Sequence, residues 1–255
     1  MIVQDDGRLR MAFTHHGRTV HVVAEGALDT RSYPALRDGL LKTGADGPDA
    51  VIVQIDGLEF ARQELLSVFA LAARRIMDWP GAPLMLVSGR ADHRRRLATN
   101  AIDRFVPVYG TVAEAEGSVD ARPRRRIERL LVREPAASRY AREFTRATCA
   151  RWSVGELAED ATLIVEELLS NAVRHTTSVP RLRLELRRGM LTVAISDDSP
   201  RLAVMRERRR PTEPGLGLLL VAQTARAWGC TRTWSGGKVV WAVLTTTSGR
   251  LPKIR

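Results

Sequence analysis

A carboxylate, a carboxamide and an imidazole follow one another at intervals of four residues in the second half of the chain: Glu167, Asn171 and His175. Residues four apart lie on one side of an α-helix, so the three side chains would line a single edge if this stretch is helical. A carboxylate can serve as a general base, and a carboxamide oxygen can ligate a metal ion. The same residues are equally well explained as solvated polar positions, so two interpretations remain open.

Two further features of this half could belong to the same site. Asp197 follows the predicted strand Leu191–Ser196, on the face to which that strand turns its apolar residues. Gly215-Leu216-Gly217-Leu218 opens a predicted helix, where glycines let backbone amides approach an anion. Taken singly, an Asp after a strand is typical of a turn and Gly-x-Gly is typical of a loop.

The helix that would carry Glu167 and Asn171 is predicted over Gly155–Thr176. Ser153 followed by Glu156 predicts a capping box at its start. Apolar residues recur at steps of three and four, as in a helix packed on a core: Leu157, Ala161, Ile164, Val165, Leu168, Ala172 and Val173. For His175, near the helix end, we expect a structural hydrogen bond.

The elements around this helix predict a two-layer α+β sandwich, because helices come first and an antiparallel sheet follows. The segment Leu218–Trp228 is predicted to be a helix that Gly229 closes as a C-cap. The other predicted elements are helix Ala136–Trp152 and strands Arg181–Leu186, Leu191–Ser196, Thr231–Trp234 and Val239–Thr245.

The first half alternates strands with helices, which predicts an α/β layer with a mixed sheet and helices on one face. It opens with a hairpin of Arg8–Thr14 and Thr19–Ala24. The elements predicted after it are helix Arg31–Leu41, strand Ala50–Ile55, helix Glu64–Trp79, strand Pro83–Val87, helix Asp92–Thr99, strand Val106–Tyr109 and helix Val112–Gly117.

An Arg- and Pro-rich segment, Arg122–Arg133, separates the halves and shows no strand pattern. The spacing of Ile127, Leu130 and Leu131 would allow a helix to begin inside it. We therefore expect a first domain over residues 1–118, a linker over 119–135, a second domain over 136–248 and a tail over 249–255.

The composition is that of a globular protein, with 44% hydrophobic and 27% charged residues in 255. No run approaches the ~20 apolar residues of a membrane span, and Met1–Arg10 lacks the apolar core of a secretory signal. Cys149 and Cys230 have no metal-ligand spacing, so we expect a cytoplasmic protein with reduced thiols and no membrane contact. The net charge of +11 suggests DNA binding as a possible function. The Arg clusters lack interleaved aromatic residues, however, so direct DNA binding is not expected.

The order of these features resembles the GHKL (Bergerat-fold) ATP-binding family, and within it the anti-sigma-factor serine kinases of partner-switching systems. The likeness covers about Arg133–Thr246: Glu-Leu-x-x-Asn-Ala-Val-x-His on a helix, an Asp ending a strand, Gly-Leu-Gly-Leu, then Gly-Gly-Lys-Val-Val-Trp. It implies ATP and Mg2+ as cofactors. The implied roles are catalytic base for Glu167, metal ligand for Asn171, adenine recognition for Asp197, and phosphate binding for Gly215, Leu216, Gly217 and Leu218.

Three positions depart from the family pattern. Ser199 and Arg201 stand where glycines are usual, which would tighten the adenine end of the pocket. Val239 stands where these kinases often have Thr, which removes a hydroxyl that could reach the nucleotide. The loop Arg201–Pro214 would be the lid, and its Arg208–Arg210 run could contact phosphates.

The first half, about Gly7–Ala115, resembles a STAS domain, the fold of anti-sigma-factor antagonists. The stretches that carry this likeness are Gly26-Ala27-Leu28-Asp29, Val51–Phe60 and Pro83–Val87. Antagonists carry a phosphorylated hydroxyl in an Asp-Ser-Ser-Gly-like stretch, and here that stretch is Arg62-Gln63-Glu64-Leu65. Because no hydroxyl stands there, and Ser67 is better explained by helix packing, we infer that this half is not the substrate of the kinase. Glu64 could mimic a phosphorylated residue.

Two hypotheses follow. In the first, the chain is an ATP- and Mg2+-dependent serine/threonine kinase that phosphorylates a separate STAS antagonist and controls a sigma factor. In the second, it is a non-catalytic interaction scaffold with weak or no nucleotide turnover. The expected partners are the sigma factor, the antagonist, or a second copy of the chain.

Overall fold

The computed structural model describes residues 1–119, 124–134, 136–203 and 217–246. The chain divides into two compact units, unit 1 (Met1–Ala121) and unit 2 (Arg122–Arg255). Among the described residues, none of the helices combines the length and the apolar character that crossing a bilayer requires.

Six strands form the sheet of unit 1: β1 (Ile2–Asp5), β2 (Leu9–His16), β3 (Thr19–Leu28), β4 (Ala50–Phe60), β5 (Leu84–Val87) and β6 (Val108–Tyr109). They lie side by side in chain order. The first three pair antiparallel and the last four pair parallel, so the predicted mixed sheet and its opening hairpin are confirmed. Gly26, which follows the predicted strand Thr19–Ala24, lies within β3 at φ +103°, where a Cβ would stand 2.1 Å from the Arg8 carbonyl oxygen.

Four helices complete unit 1: α1 (Tyr33–Ala45), α2 (Ser67–Asp78), α3 (Ala91–Thr99) and α4 (Val112–Gly117). The bounds of α4 are those predicted. The helix predicted to begin at Glu64 begins at Ser67, because Gln63–Leu66 form a separate 3-10 turn.

The helices of unit 1 lie on both faces of its sheet, although the sequence predicted one covered face. Gly39 of α1 packs on Met11, and the side chains of Met11 and Val53 point to the same face of the sheet. Ala115 of α4 packs in a cluster with Ile52, and neighbouring strand residues such as Ile52 and Val53 point to opposite faces.

The described part of unit 2 contains three helices and five strands: β7 (Arg125–Leu130), α5 (Ala137–Arg151), α6 (Ala158–His175), β8 (Arg181–Arg187), β9 (Met190–Asp197), α7 (Gly217–Thr224), β10 (Ala227–Arg232) and β11 (Lys238–Thr245). The strands form an antiparallel sheet in the order β10-β11-β9-β8-β7. Leu168 and Ala172 of α6 are buried in one core with Val193 and Ile195 of β9. The predicted α+β layering is confirmed.

The segment predicted to be a strand-free linker contains β7, and within its described residues, 124–134, no helix begins. Ile127 pairs with Leu184 of β8 and packs against the core, whereas Leu130 is 62% exposed. The apolar spacing that suggested a helix therefore forms no buried stripe. Arg124, just before β7, forms a buried ion pair with Glu185 at 2.5 Å.

Two predicted helix ends are wrong. Helix α7 ends at Thr224, and Gly229 lies inside β10 instead of capping a helix. Gly229 faces Trp241 of β11, whose ring fills the space of a Cβ at 2.6 Å, so only glycine allows this strand pairing. At the other helix, Ser153 has φ +60° and makes no cap, and α6 begins at Ala158.

Candidate functional site

Helix α6 holds Glu167 and Asn171 one turn apart, at the margin of its buried stripe. Ile164, Leu168 and Ala172 are almost completely buried, whereas Glu167 and Asn171 are half-buried. The two polar side chains are therefore carried by a helix fixed in the core, which limits their movement. His175 is the last residue of α6, and its side chain lies outside the described part of the structure.

The start of α7 comes directly against Glu167. A Cβ built on Gly217 would stand 2.3 Å from Glu167 Oε2 and 3.3 Å from its Cδ. A side chain at position 217 would therefore displace the Glu167 carboxylate. This close approach joins two of the sequence features that motivated the site. Leu218 turns its side chain into the core of unit 2. Gly215 and Leu216, together with residues 204–214 of the predicted lid and its Arg208–Arg210 run, lie outside the described residues.

Asp197 closes β9 in a buried ion pair that the sequence did not predict. Lys238 Nζ lies 2.7 Å from Asp197 Oδ1, and the two side chains are 2% and 1% exposed. The Ser199 backbone N–H donates to the same oxygen at 2.8 Å. Among the described residues, nothing donates a hydrogen bond to Asp197 Oδ2, which is buried. In the Asp197 carboxylate, Oδ1 is therefore bound by Lys238 and Ser199, whereas Oδ2 is available to accept a hydrogen bond.

The register of β9 and β11 explains why Lys238 is the partner. Lys238 pairs directly with Asp197, and Val239 pairs with Ser196. Directly paired residues share a face of a sheet and neighbouring residues alternate, so Val239 faces away from Asp197. Lys238 is therefore the residue of β11 that contacts Asp197.

The end of α6 and the end of β9 converge. The Asp198 backbone N–H donates to Ser178 Oγ at 3.0 Å, and Ser178 follows closely after α6. Arg133 donates to the carbonyl oxygens of Val173, at 3.0 Å, and of Thr176, which satisfies acceptors at the helix end. Helix α6, which carries Asn171, is thus tied at its end to the strand that carries Asp197.

The chemical groups of these residues are suited to binding a nucleotide together with Mg2+. The free Asp197 Oδ2 suits an amino group such as that of adenine, because a buried acceptor without a donor costs free energy. Asn171 offers the kind of oxygen that Mg2+ prefers. Gly217 removes the side chain that would separate α7 from Glu167.

Residues 131–244 match the family model described as histidine kinase-like ATPase domain. Unit 2 carries a histidine kinase-like ATPase domain. The match spans Glu167, Asn171, Asp197, Gly217 and Lys238, and the resemblance to GHKL ATP-binding proteins is confirmed. No curated protein sequence matches this chain.

Several solved structures similar to this chain are antagonists of anti-sigma factors. An anti-sigma factor antagonist from Mycobacterium paratuberculosis is 20% identical, covering 45% of this chain and 97% of its own, with a TM-score of 0.40. An antagonist (STAS) domain protein from Planctomyces limnophilus is 18% identical, covering 43% and 97%, with a TM-score of 0.37. The phosphorylated Bacillus cell fate determinant SpoIIAA is 17% identical, covering 43% and 99%, with a TM-score of 0.34.

Proposed function

We propose that this chain is a partner-switching regulator whose ATPase domain binds Mg-ATP and phosphorylates a separate STAS antagonist on Ser or Thr. That reaction would control the sigma factor on which the antagonist acts. The observation that carries the proposal is the Asp197 carboxylate. It is buried within the ATPase domain, Lys238 holds one oxygen, and the other has no donor among the described residues.

Each residue of the site has a defined task in this proposal. Asp197 Oδ2 accepts a hydrogen bond from the adenine amino group, while Lys238 fixes the orientation of the carboxylate. Asn171 provides an amide oxygen to Mg2+, which when bound neutralises charge on the transferring phosphoryl group. Glu167 accepts the proton of the attacking hydroxyl. Gly217 keeps the start of α7 against Glu167.

Unit 1 is, in this proposal, a STAS domain that acts as a regulatory partner and not as the substrate. Its Arg62–Leu65 stretch contains no hydroxyl. The Ser67 hydroxyl donates to the Glu64 carbonyl oxygen at 2.7 Å, so it stabilises the turn before α2. This contact supports a structural role for Ser67 rather than a phosphate-accepting one.

The nucleotide site is tested with Asn171→Ala in the full chain, with Ser170→Ala as the matched control. Ser170 is the exposed neighbour on the same helix. We expect Asn171→Ala to weaken Mg-ATP binding at least tenfold by calorimetry, or about 1.4 kcal/mol, and Ser170→Ala to leave it unchanged. Equal affinities for the two variants would refute the site.

The kinase step is tested with Glu167→Gln and labelled ATP in the presence of candidate STAS antagonists. We expect this variant to bind ATP and to transfer no phosphate. Glu166→Gln is the control, because Glu166 pairs with Arg142 of α5 at 2.5 Å. Transfer at the wild-type rate by Glu167→Gln would exclude Glu167 as the base.

The alternative, a non-catalytic scaffold, is favoured by Lys238 and Ser199, which both occupy Asp197 Oδ1. If Lys238 and Ser199 also occupy the space that the adenine ring would need, the affinity for nucleotide is low. A wild-type chain that binds a STAS antagonist but transfers no phosphate to it would establish this alternative.

A further inference from the structure

A cluster of metal-ligating side chains lies in unit 1, outside the ATPase domain. His16 ends β2, His21 lies in β3 and Glu116 lies in α4, and one ligand atom of each is within 4.8 Å of the other two. We propose that His16, His21 and Glu116 bind a divalent transition-metal ion, with Zn2+ as the reference ion.

The fold brings the three residues to one face of the sheet. His21 pairs with Thr14 across the hairpin, so His16, two residues further along β2, is its diagonal neighbour on the same face. The two imidazole rings stack with centroids 4.3 Å apart and planes 17° apart. His21 also pairs with Ile52 of β4, which packs with α4, and α4 supplies Glu116.

The nitrogen of His21 that faces the cluster is a buried donor site without a hydrogen bond. His21 is 9% exposed, and its Nε2 lies 3.1 Å from Glu116 Oε1. Glu116 is thus in ion-pair contact with Nε2 but is not aligned for a regular hydrogen bond, and no other described residue supplies one to Nε2. A metal ion between the imidazole and the carboxylate would satisfy both groups.

The ligand types select the class of ion. Two imidazoles and one carboxylate suit Zn2+ and its first-row neighbours, whereas Mg2+ prefers oxygen ligands and water. In a tetrahedral zinc site with bonds of about 2.0–2.1 Å, ligand atoms stand about 3.4 Å apart. His21 Nε2 and Glu116 Oε1 are 3.1 Å apart and already stand near this spacing. The ligand atom of His16 lies within 4.8 Å of the other two, so it has to move closer by at most about 1.4 Å, and the His16 side chain is exposed. Three protein ligands leave the fourth position to water or to a group from another molecule.

The test is calorimetric titration of the untagged full chain with Zn2+ alone, in buffer that contains Mg2+ and no nucleotide. We expect one Zn2+ per chain for the wild type and at least tenfold weaker binding for His16→Asn and Glu116→Gln. His15→Asn is the matched control, because His15 is the exposed neighbour of His16 and points to the opposite face. It should bind as the wild type does.

A second readout is thermal unfolding, since an ion that binds only the folded chain raises its midpoint. Zn2+ should raise the midpoint of the wild type and of His15→Asn, and not that of His16→Asn. Equal zinc affinity in His15→Asn and His16→Asn, or no zinc binding by the wild type, would overturn the proposal. Zinc taken up by Cys149 or Cys230 would persist in every histidine variant and so count against it. Because no nucleotide is present, the result is independent of the ATPase site.

Discussion

The two units treat buried charge differently. In unit 2 the sheet buries Arg183, Glu185, Arg187, Asp197 and Lys238. In the described part of unit 1, the buried polar side chains are hydroxyls and imidazoles: His21, Ser32, Thr43, Ser88 and His93. Taking a charge out of water costs several kcal/mol per ion, and a close pair recovers that cost only with good geometry. In the ATPase domain one of these buried charges is Asp197, the residue proposed to bind the adenine amino group.

The part of this difference that lies at the candidate nucleotide site is the Asp197–Lys238 pair. In the described part of unit 1, the arginine–carboxylate pairs have side chains that are partly or fully exposed. In unit 2 the Asp197–Lys238 pair is more costly than two apolar residues would be, so its presence points to a role beyond stability. Three experiments test this comparison, from the largest expected effect to the smallest.

The largest effect is expected from Lys238→Met, which leaves the Asp197 charge buried without its partner. Removing one member of a buried pair costs about 3–5 kcal/mol of unfolding free energy. Urea unfolding followed by tryptophan fluorescence measures it, because four of the five tryptophans belong to unit 2. The double variant Lys238→Met/Asp197→Leu should recover most of the loss, since no charge is left. A single variant as stable as the wild type would contradict the comparison.

A smaller effect is expected at Cys149, a buried thiol in unit 2. Burial raises the pKa of its thiol to about 11, and Glu156 adds to the rise. Because the folded pKa lies above the unfolded value near 9, the stabilising contribution of the neutral thiol is complete below pH 9. It is lost as the pH rises towards 11.

Alkylation rates at pH 8, followed by mass spectrometry, measure this difference. Native Cys149 should resist alkylation until the chain unfolds, and the partly exposed Cys230 should react first. Equal rates would show that the interior of unit 2 does not hold Cys149 neutral.

The smallest effect is expected at the surface of unit 1, where Arg90 pairs with Asp92 at 2.9 Å. Hydrogen bonds from Arg90 lower the pKa of Asp92 to about 2. Any stabilisation from this pair is present above pH 4 and is lost as the pH falls through 2. An NMR titration should place the midpoint near 2 and return it to about 3.8 in Arg90→Gln. Urea unfolding at pH 7 should not change, because exposed pairs contribute little.

The sequence predicts the elements whose periodicity is local. Helix α6 and the strands β8 and β9 follow from repeating apolar residues, and α4 was predicted with its exact bounds. The strand β7 was missed because its six residues, four of them charged, become a strand only by pairing with β8. The strand β10 was read as a helix end because Gly229 resembles a C-cap, and only the ring of Trp241 explains that glycine.

The same division holds for the sites. Glu167, Asn171 and Asp197 could be proposed from the sequence because they belong to an ordered pattern, and their roles stay predictions. Lys238 was missed because a lysine near a hairpin turn is expected to be exposed to solvent. Its contact with Asp197 depends on the pairing of β9 with β11, which joins residues 41 apart in sequence. His21 lies in a predicted strand, but His16 lies beyond the predicted strand Arg8–Thr14, and only the extension of β2 to His16 brings the two imidazoles to one face. Glu116 could not have been added without the position of α4.

The edge strand β7 also protects unit 2 from association with other chains. An unpaired strand edge offers its backbone to any neighbouring strand, and charged side chains along the edge discourage such pairing. Four of the six residues of β7 are charged: Arg125, Arg126, Glu128 and Arg129. A shortened protein that began at residue 131, where the match to the family begins, would lose β7 and expose the edge of β8 with Leu182 and Leu184. Such a protein would tend to aggregate, so the ATPase domain should be isolated together with β7.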